Sequence, residues 1–184
     1  MDIKPHVYNK IFNSIPNFEL SYETISHKKV SNNYNICLAI PTGKKFIAYF
    51  TYFKDQDVCY IFELNRDKKP VNCTMFYHDF IDLTHGTLIY GSIIIEDDNP
   101  IKYFIIEDIF YYMGIELINF NCFSKLKILN ELVETLQSSY INYGIFVFAL
   151  PMIWSIEFDE NKCNTIPLDI SNNISYSIHH IQYR

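Results

Sequence analysis

Gly86-Thr-Leu-Ile-Tyr-Gly-Ser-Ile-Ile-Ile-Glu96 and Lys102-Tyr-Phe-Ile-Ile-Glu-Asp-Ile-Phe-Tyr-Tyr112 are two apolar runs, rich in β-branched and aromatic residues, flanking Asp97-Asp-Asn-Pro100. β-Branched and aromatic side chains suit a pleated sheet, and Asp, Asn and Pro favour turns, so Leu88–Glu96 and Ile101–Phe110 are predicted to form a hairpin. Working outward, Cys37–Ile40 and Phe46–Phe53 flank the turn signal Pro41-Thr-Gly43. Val58–Leu64 is a further apolar run and predicts a second hairpin across the polar loop Lys54-Asp-Gln-Asp57. Ser124–Gln137 carries Leu126, Leu129, Leu132, Val133 and Leu136 at helical spacing, with Ser124 as the expected N-cap. Residues 7–13 suggest a short helix, Ser21–Lys29 a polar connector, Tyr143–Trp154 a buried strand broken by Pro151, and Ser175–Gln182 a last strand. Many strands with one strong helix imply an antiparallel α+β architecture.

The chain has 184 residues, a length that suits a single domain over 1–184. Its 49% hydrophobic and 20% charged content is that of a folded soluble domain. Ile, Asn, Tyr, Phe and Lys abound while Ala, Gly and Arg are sparse, a bias that an AT-rich genome produces, such as that of a large DNA virus or of some protists. The net charge of −6 argues against a broad basic nucleic-acid surface but leaves room for a pocket holding one nucleotide or one capped 5′ end. Cys37, Cys59, Cys73, Cys122 and Cys163 are scattered, with neither Cys-x-x-Cys nor zinc spacing, which favours reduced thiols in a cytosolic or nuclear compartment. The apolar runs are too short or too interrupted to span a membrane, and no cofactor is implied.

Several residues invite a functional reading beside a structural one. Lys44 and Lys45 after the Thr-Gly turn place cations at a sheet end, where they suit a phosphate bridge or are simply solvated. Arg66 ends the Val58–Leu64 run and belongs to a polar loop, Asn65–Lys69. Tyr90 offers a ring for base stacking, worth about 1–3 kcal/mol per base, or packs in the sheet. Asp108, a carboxylate inside an apolar run, must find a partner or a ligand. Trp154, the single tryptophan, offers a large ring for stacking or packs in a core. Glu157 stands three residues beyond it, and Glu107 and Glu63 are further carboxylates in apolar runs. His78, Asp79 and His85 match no metal-ligand spacing. His179 and His180, adjacent in a strand, are expected to point to opposite faces.

Three segments in order resemble consecutive motifs of mRNA guanylyltransferases and related covalent nucleotidyltransferases: Ile40-Pro-Thr-Gly-Lys-Lys45, Gly86–Ile94, and Tyr103–Gly114. In that family the first motif is Lys-x-Asp-Gly, and its Lys attacks the α-phosphate; here Ile40 and Thr42 occupy those places. The second segment keeps Gly86, Thr87, Leu88 and Gly91 of the pattern Gly-Thr-Leu-Leu-Asp-Gly-Glu-Leu-Val, but Tyr90 and Ser92 replace its carboxylates. The third keeps Asp108, Ile109, Tyr111, Tyr112 and Gly114. The resemblance covers about residues 36–137, without the later Glu-Gly and Lys motifs or the separate oligonucleotide-binding domain. It implies a guanine-nucleotide fold that has lost its chemistry.

The cap-binding domain of snurportin is similar in the same way, lacking the catalytic Lys and carrying Pro-x-Gly-Lys-Arg beside Pro41-Thr-Gly-Lys-Lys45. The resemblance thus implies a catalytically inactive member that binds the 7-methylguanosine cap of mRNA or a related guanine nucleotide. No catalytic residue and no metal ligand is expected. Lys44, Lys45 and Arg66 would engage phosphates, and Trp154 or Tyr90 would stack on the base, Trp154 suiting a cationic methylated one. Glu157, with Glu107 and Glu63 as rivals, would read the guanine N1 and N2 edge, and Asp108 completes the candidate set. Such a protein would act in translation or mRNA handling, with other proteins as partners, in the cytoplasm. An active nucleotidyltransferase using Lys44 or Lys45, and a structural subunit that binds no nucleotide, are the alternatives.

Overall fold

The structure is a computed structural model and describes residues 1–19, 35–95, 101–138, 146–155 and 166–184. The Ser21–Lys29 connector, the Asp97–Pro100 turn, Glu157 and Cys163 lie outside the described residues. Its elements are helix α1 (Pro5–Phe12), strands β1 (Ile36–Pro41), β2 (Lys45–Phe53), β3 (Gln56–Leu64), β4 (Pro70–Tyr77), β5 (Thr87–Ile95), β6 (Lys102–Tyr112) and β7 (Ile115–Glu116), helix α2 (Cys122–Ser138), strands β8 (Phe146–Ala149) and β9 (Ile153–Ser155), helix α3 (Leu168–Asn173), and strand β10 (Ile178–Tyr183). A 3-10 turn, Ile81–His85, precedes β5. The class is α+β with mostly antiparallel sheets.

The chain forms two compact units: Met1–Phe18 with Gly43–Leu150, and Glu19–Thr42 with Pro151–Arg184. The first holds a seven-stranded sheet ordered β4-β3-β2-β5-β6-β7, with β8 parallel to β6. Lys54 and Asp55 both take positive φ, 51° and 62°, so β2 and β3 meet in a tight two-residue turn whose backbone matches the strand twist. The predicted β5–β6 hairpin forms with Gly91 opposite Ile106. A Cβ on Gly91 would lie 2.0 Å from the Ile105 carbonyl oxygen, so this position needs glycine for close packing.

Alternation along the strands gives the large sheet two faces. On one, Ala48, Phe50, Ile89, Phe104 and Ile106 form a core with Leu129, Leu132 and Leu136 of α2 and Phe148 of β8. Burying each such leucine contributes about 1.5–3 kcal/mol. The α2 cap is Asn121, whose Oδ1 accepts the Ser124 N–H at 2.9 Å; Ser124 sits inside the first turn and is not the N-cap. The Phe12 ring meets Phe62 edge-on, and the Tyr8 hydroxyl donates to the Val71 carbonyl. At the β4 edge, Ile3 N–H donates to Cys73 O and Met75 N–H to Met1 O, which covers part of a row of otherwise unpaired strand groups.

The second unit is a three-stranded sheet, β10-β1-β9, with a small core of Cys37, Ala39 and Trp154 packed by Met152, Ile170, Tyr176 and Ile181. Pro151 divides the predicted Tyr143–Trp154 run: its two halves, β8 and β9, belong to different sheets. The expectation that His179 and His180 face opposite ways fails. In β10 the ladder shifts between Ile40–His180 and Pro41–Ile178, leaving His179 as an extra residue that turns both rings together. Among the described residues no helix is long and apolar enough to cross a membrane.

Candidate functional site

Register builds a groove on the large sheet of the first unit. Phe46, Glu63 and Asn72 are direct neighbours across β2, β3 and β4, and Ile61 and Thr74 form the next row on the same face. With Lys44, Ile93, Ile95, Lys102 and Phe146 they line a groove of about 360 Å³, within the usual range for small-molecule sites. Lys44 Nζ lies 2.6 Å from Glu63 Oε1, but Lys44 is 72% exposed, so the pair is weak and easily exchanged. The Lys102 ammonium lies 5.6 Å from the Phe146 ring centre, and Phe146 stacks on Phe76. Two lysines against one glutamate leave the groove with one net positive charge on a chain of net charge −6. Cations, aromatic rings, a carboxylate, an amide and a hydroxyl thus converge on one apolar-walled space.

Lys45 follows Lys44 but faces the other side of the sheet, because side chains alternate and Phe46 already lines the groove. There its ammonium donates to Glu107 Oε1 at 2.6 Å and to Ser92 Oγ at 2.7 Å, while the Ser92 hydroxyl donates to Glu107 at 2.5 Å. Lys45 pairs Ser92 in register, and Glu107 is the extra residue of a β5–β6 bulge between the Gly91–Ile106 and Tyr90–Asp108 pairs. Bulges re-aim side chains, and this one closes the triad. Glu107 is only 8% exposed, so its charge is held by that ammonium and hydroxyl.

The remaining sequence candidates are dispersed. Arg66 is exposed in the β3–β4 turn, which is tied by Asn65 N–H to Lys69 O. Tyr90 is 5% exposed and lies within the sheet. Asp108 has found its partners: Oδ1 accepts from Lys125 Nζ at 3.0 Å and from Ile109 N–H at 2.8 Å. Trp154 is 8% exposed in the second unit, and its indole N–H meets no hydrogen-bond partner among the described residues. Ile40 is a fully buried strand residue. The groove therefore takes in Lys44 and the rival Glu63, whereas Lys102, Asn72, Thr74, Phe46 and Phe146 were not anticipated. Only Lys102, a charge within an apolar strand run, carried a signal in the sequence.

His78 is a second buried polar group. Its Nδ1 accepts the Phe80 N–H at 3.1 Å, and its ring packs among Phe50, Phe76 and Phe80. Burial pushes its pKa below 6.5, against the opposing pull of the Val58 backbone and the Asp57 and Asp79 carboxylates. Among the described residues no group of three or more metal-binding side chains gathers. No family model matches this chain, and no curated protein matches it.

Proposed function

We propose that the chain is a non-catalytic cap-binding module of the covalent nucleotidyltransferase fold, acting in translation or mRNA handling with protein partners in the cytoplasm of a virus-infected cell. The observation that carries the reading is the groove, where Glu63 stands between Phe46 and Asn72 with Lys44 and Lys102 beside it. A guanine presents N1–H and N2–H₂ donors that a carboxylate accepts together, and lysines suit the phosphate bridge. Phe46 supplies apolar area for the base. Lack of catalysis is supported by Ile40 at the nucleophile position and by the engagement of Lys45 with Glu107 and Ser92.

Calorimetric titration of the full chain with 7-methyl-GTP, GTP and ATP tests this. The methylated nucleotide is expected to bind most tightly, Glu63→Gln to weaken both guanine nucleotides more than ATP, and Lys44→Ala with Lys102→Ala to weaken all three. No heat and an unmoved melting temperature with every nucleotide would sink the reading. An adduct stable in denaturant after incubation with GTP, or with ATP, and a divalent metal would replace it with an active nucleotidyltransferase.

A further inference from the structure

We infer, on the guanine reading above, that Lys44 is an exchangeable latch that sets which form of the ligand the groove takes. It holds Glu63 until a nucleotide enters and then passes to the phosphates, so the groove selects phosphorylated ligands over the neutral nucleoside carrying the same base. Lys44 lies just before β2, two positions before Phe46, and Phe46 faces Glu63 across the ladder. Alternation therefore sets Lys44 on the groove side, beside that carboxylate. Its Nζ lies 2.6 Å from Glu63 Oε1, with the lysine side chain 72% exposed and the glutamate side chain 20%. The glutamate is thus the fixed end of the pair and the lysine the loose end, on a flexible four-carbon stem that can move the ammonium without shifting the backbone. Among the described residues no other cation pairs with Glu63. The groove's second lysine, Lys102, holds its ammonium 5.6 Å from the Phe146 ring centre instead.

This pairing gives Lys44 two opposite effects on binding. A guanine that donates N1–H and N2–H₂ to Glu63 competes with Lys44 for the same oxygens. A nucleoside displaces the ammonium and offers it nothing in return. A triphosphate offers it oxygens of its own, so one charge-assisted contact is exchanged for another. An exposed ion pair is worth a factor of up to about five, which is the penalty set on the nucleoside. The lysine–phosphate contact is worth roughly tenfold to the triphosphate. A lysine that stayed on Glu63 and steadied it under the base would instead favour both ligands.

The test compares guanosine and GTP binding to the parent chain, Lys44→Ala and Lys102→Ala, read by chemical-shift titration, which follows weak binding. Guanosine is the probe because it is neutral, so the groove's overall charge does not act on it. Lys44→Ala is expected to tighten guanosine by about two- to fivefold and to weaken GTP roughly tenfold. Lys102→Ala is expected to weaken GTP without tightening guanosine. Lys44 is exposed, and an unchanged amide spectrum outside the groove checks the fold. If the parent binds GTP but Lys44→Ala weakens guanosine, or leaves it unchanged or undetected, the latch is overturned and the guanine site stands. Tightening of guanosine by both alanine variants alike would overturn it too. If the parent binds neither ligand, the guanine reading fails and the latch falls with it.

Discussion

Lys44 and Lys45 are neighbours in the chain, yet each ammonium lies 2.6 Å from a different carboxylate, Glu63 in the groove and Glu107 on the other side of the same sheet. Alternation along an extended strand is enough to separate them. The two pairs differ in burial, and therefore in what they do for the fold.

Lys45→Met strands the Glu107 charge and is expected to cost about 2–4 kcal/mol of stability, whereas Lys44→Ala costs about 0–1 kcal/mol. Urea denaturation of the two variants checks this. Equal effects would mean that the Lys45 triad is not the buried, closed cluster described above.

Gly91→Ala drives a methyl group into the Ile105 carbonyl and the Phe104 ring. The β5–β6 pair must then separate, with an expected loss of about 3 kcal/mol or failure to fold. Thermal unfolding within a degree or two of the parent would contradict that packing.

His78 is held neutral, since burial depresses its pKa and Phe80 N–H occupies Nδ1. The sign follows from proton uptake. Above pH 6.5 neither state takes the proton, and below it only the unfolded chain does, so stability falls as pH drops until the lower folded pKa is reached. The slope contributed is at most about 1.4 kcal/mol per pH unit. His78→Gln should flatten the profile just below pH 6.5 measured by denaturant titration, and an identical profile would show that the acid sensitivity lies elsewhere.

Trp154 is an internal reporter of the second unit. Its emission should resist acrylamide, because the ring is buried in the small core with Cys37 and Ala39. Trp154→Phe removes an indole N–H that meets no partner among the described residues and should cost less than Trp154→Ala, for which about 3–5 kcal/mol is expected. Strong quenching by 7-methyl-GTP would move the base from Phe46 to Trp154.

Local chemistry made much of this molecule legible. The β2–β3 hairpin, the β5–β6 pair and the leucine stripe of α2 follow from period and turn residues, which act over a few positions, although the expected Lys54–Asp57 loop narrows to Lys54-Asp55 because Gln56 and Asp57 join β3. β4 was missed because Asn72, Cys73 and Thr74 dilute its apolar pattern, and α3 because six residues carry too little periodicity. The capping of α2 by Asn121 in place of Ser124 is a shift of three residues, which propensity alone does not resolve.

The site was less legible, for a physical reason. Lys44 could be singled out, and Glu63 named as a rival, because a charge beside an apolar strand stands out locally. Their meeting with Asn72, Lys102 and Phe146 depends on strand order, and their order in the sheet is not their order in the chain. The same holds for the Lys45–Ser92–Glu107 triad, which a bulge completes, and for His179 and His180, which another bulge turns together. By itself the sequence determined the class of the fold, its hairpins and its main helix, since these rest on interactions between near neighbours. Tertiary structure alone decided which charges meet, which aromatic rings are buried and which polar groups share a groove, because those depend on register and packing between segments far apart in the chain.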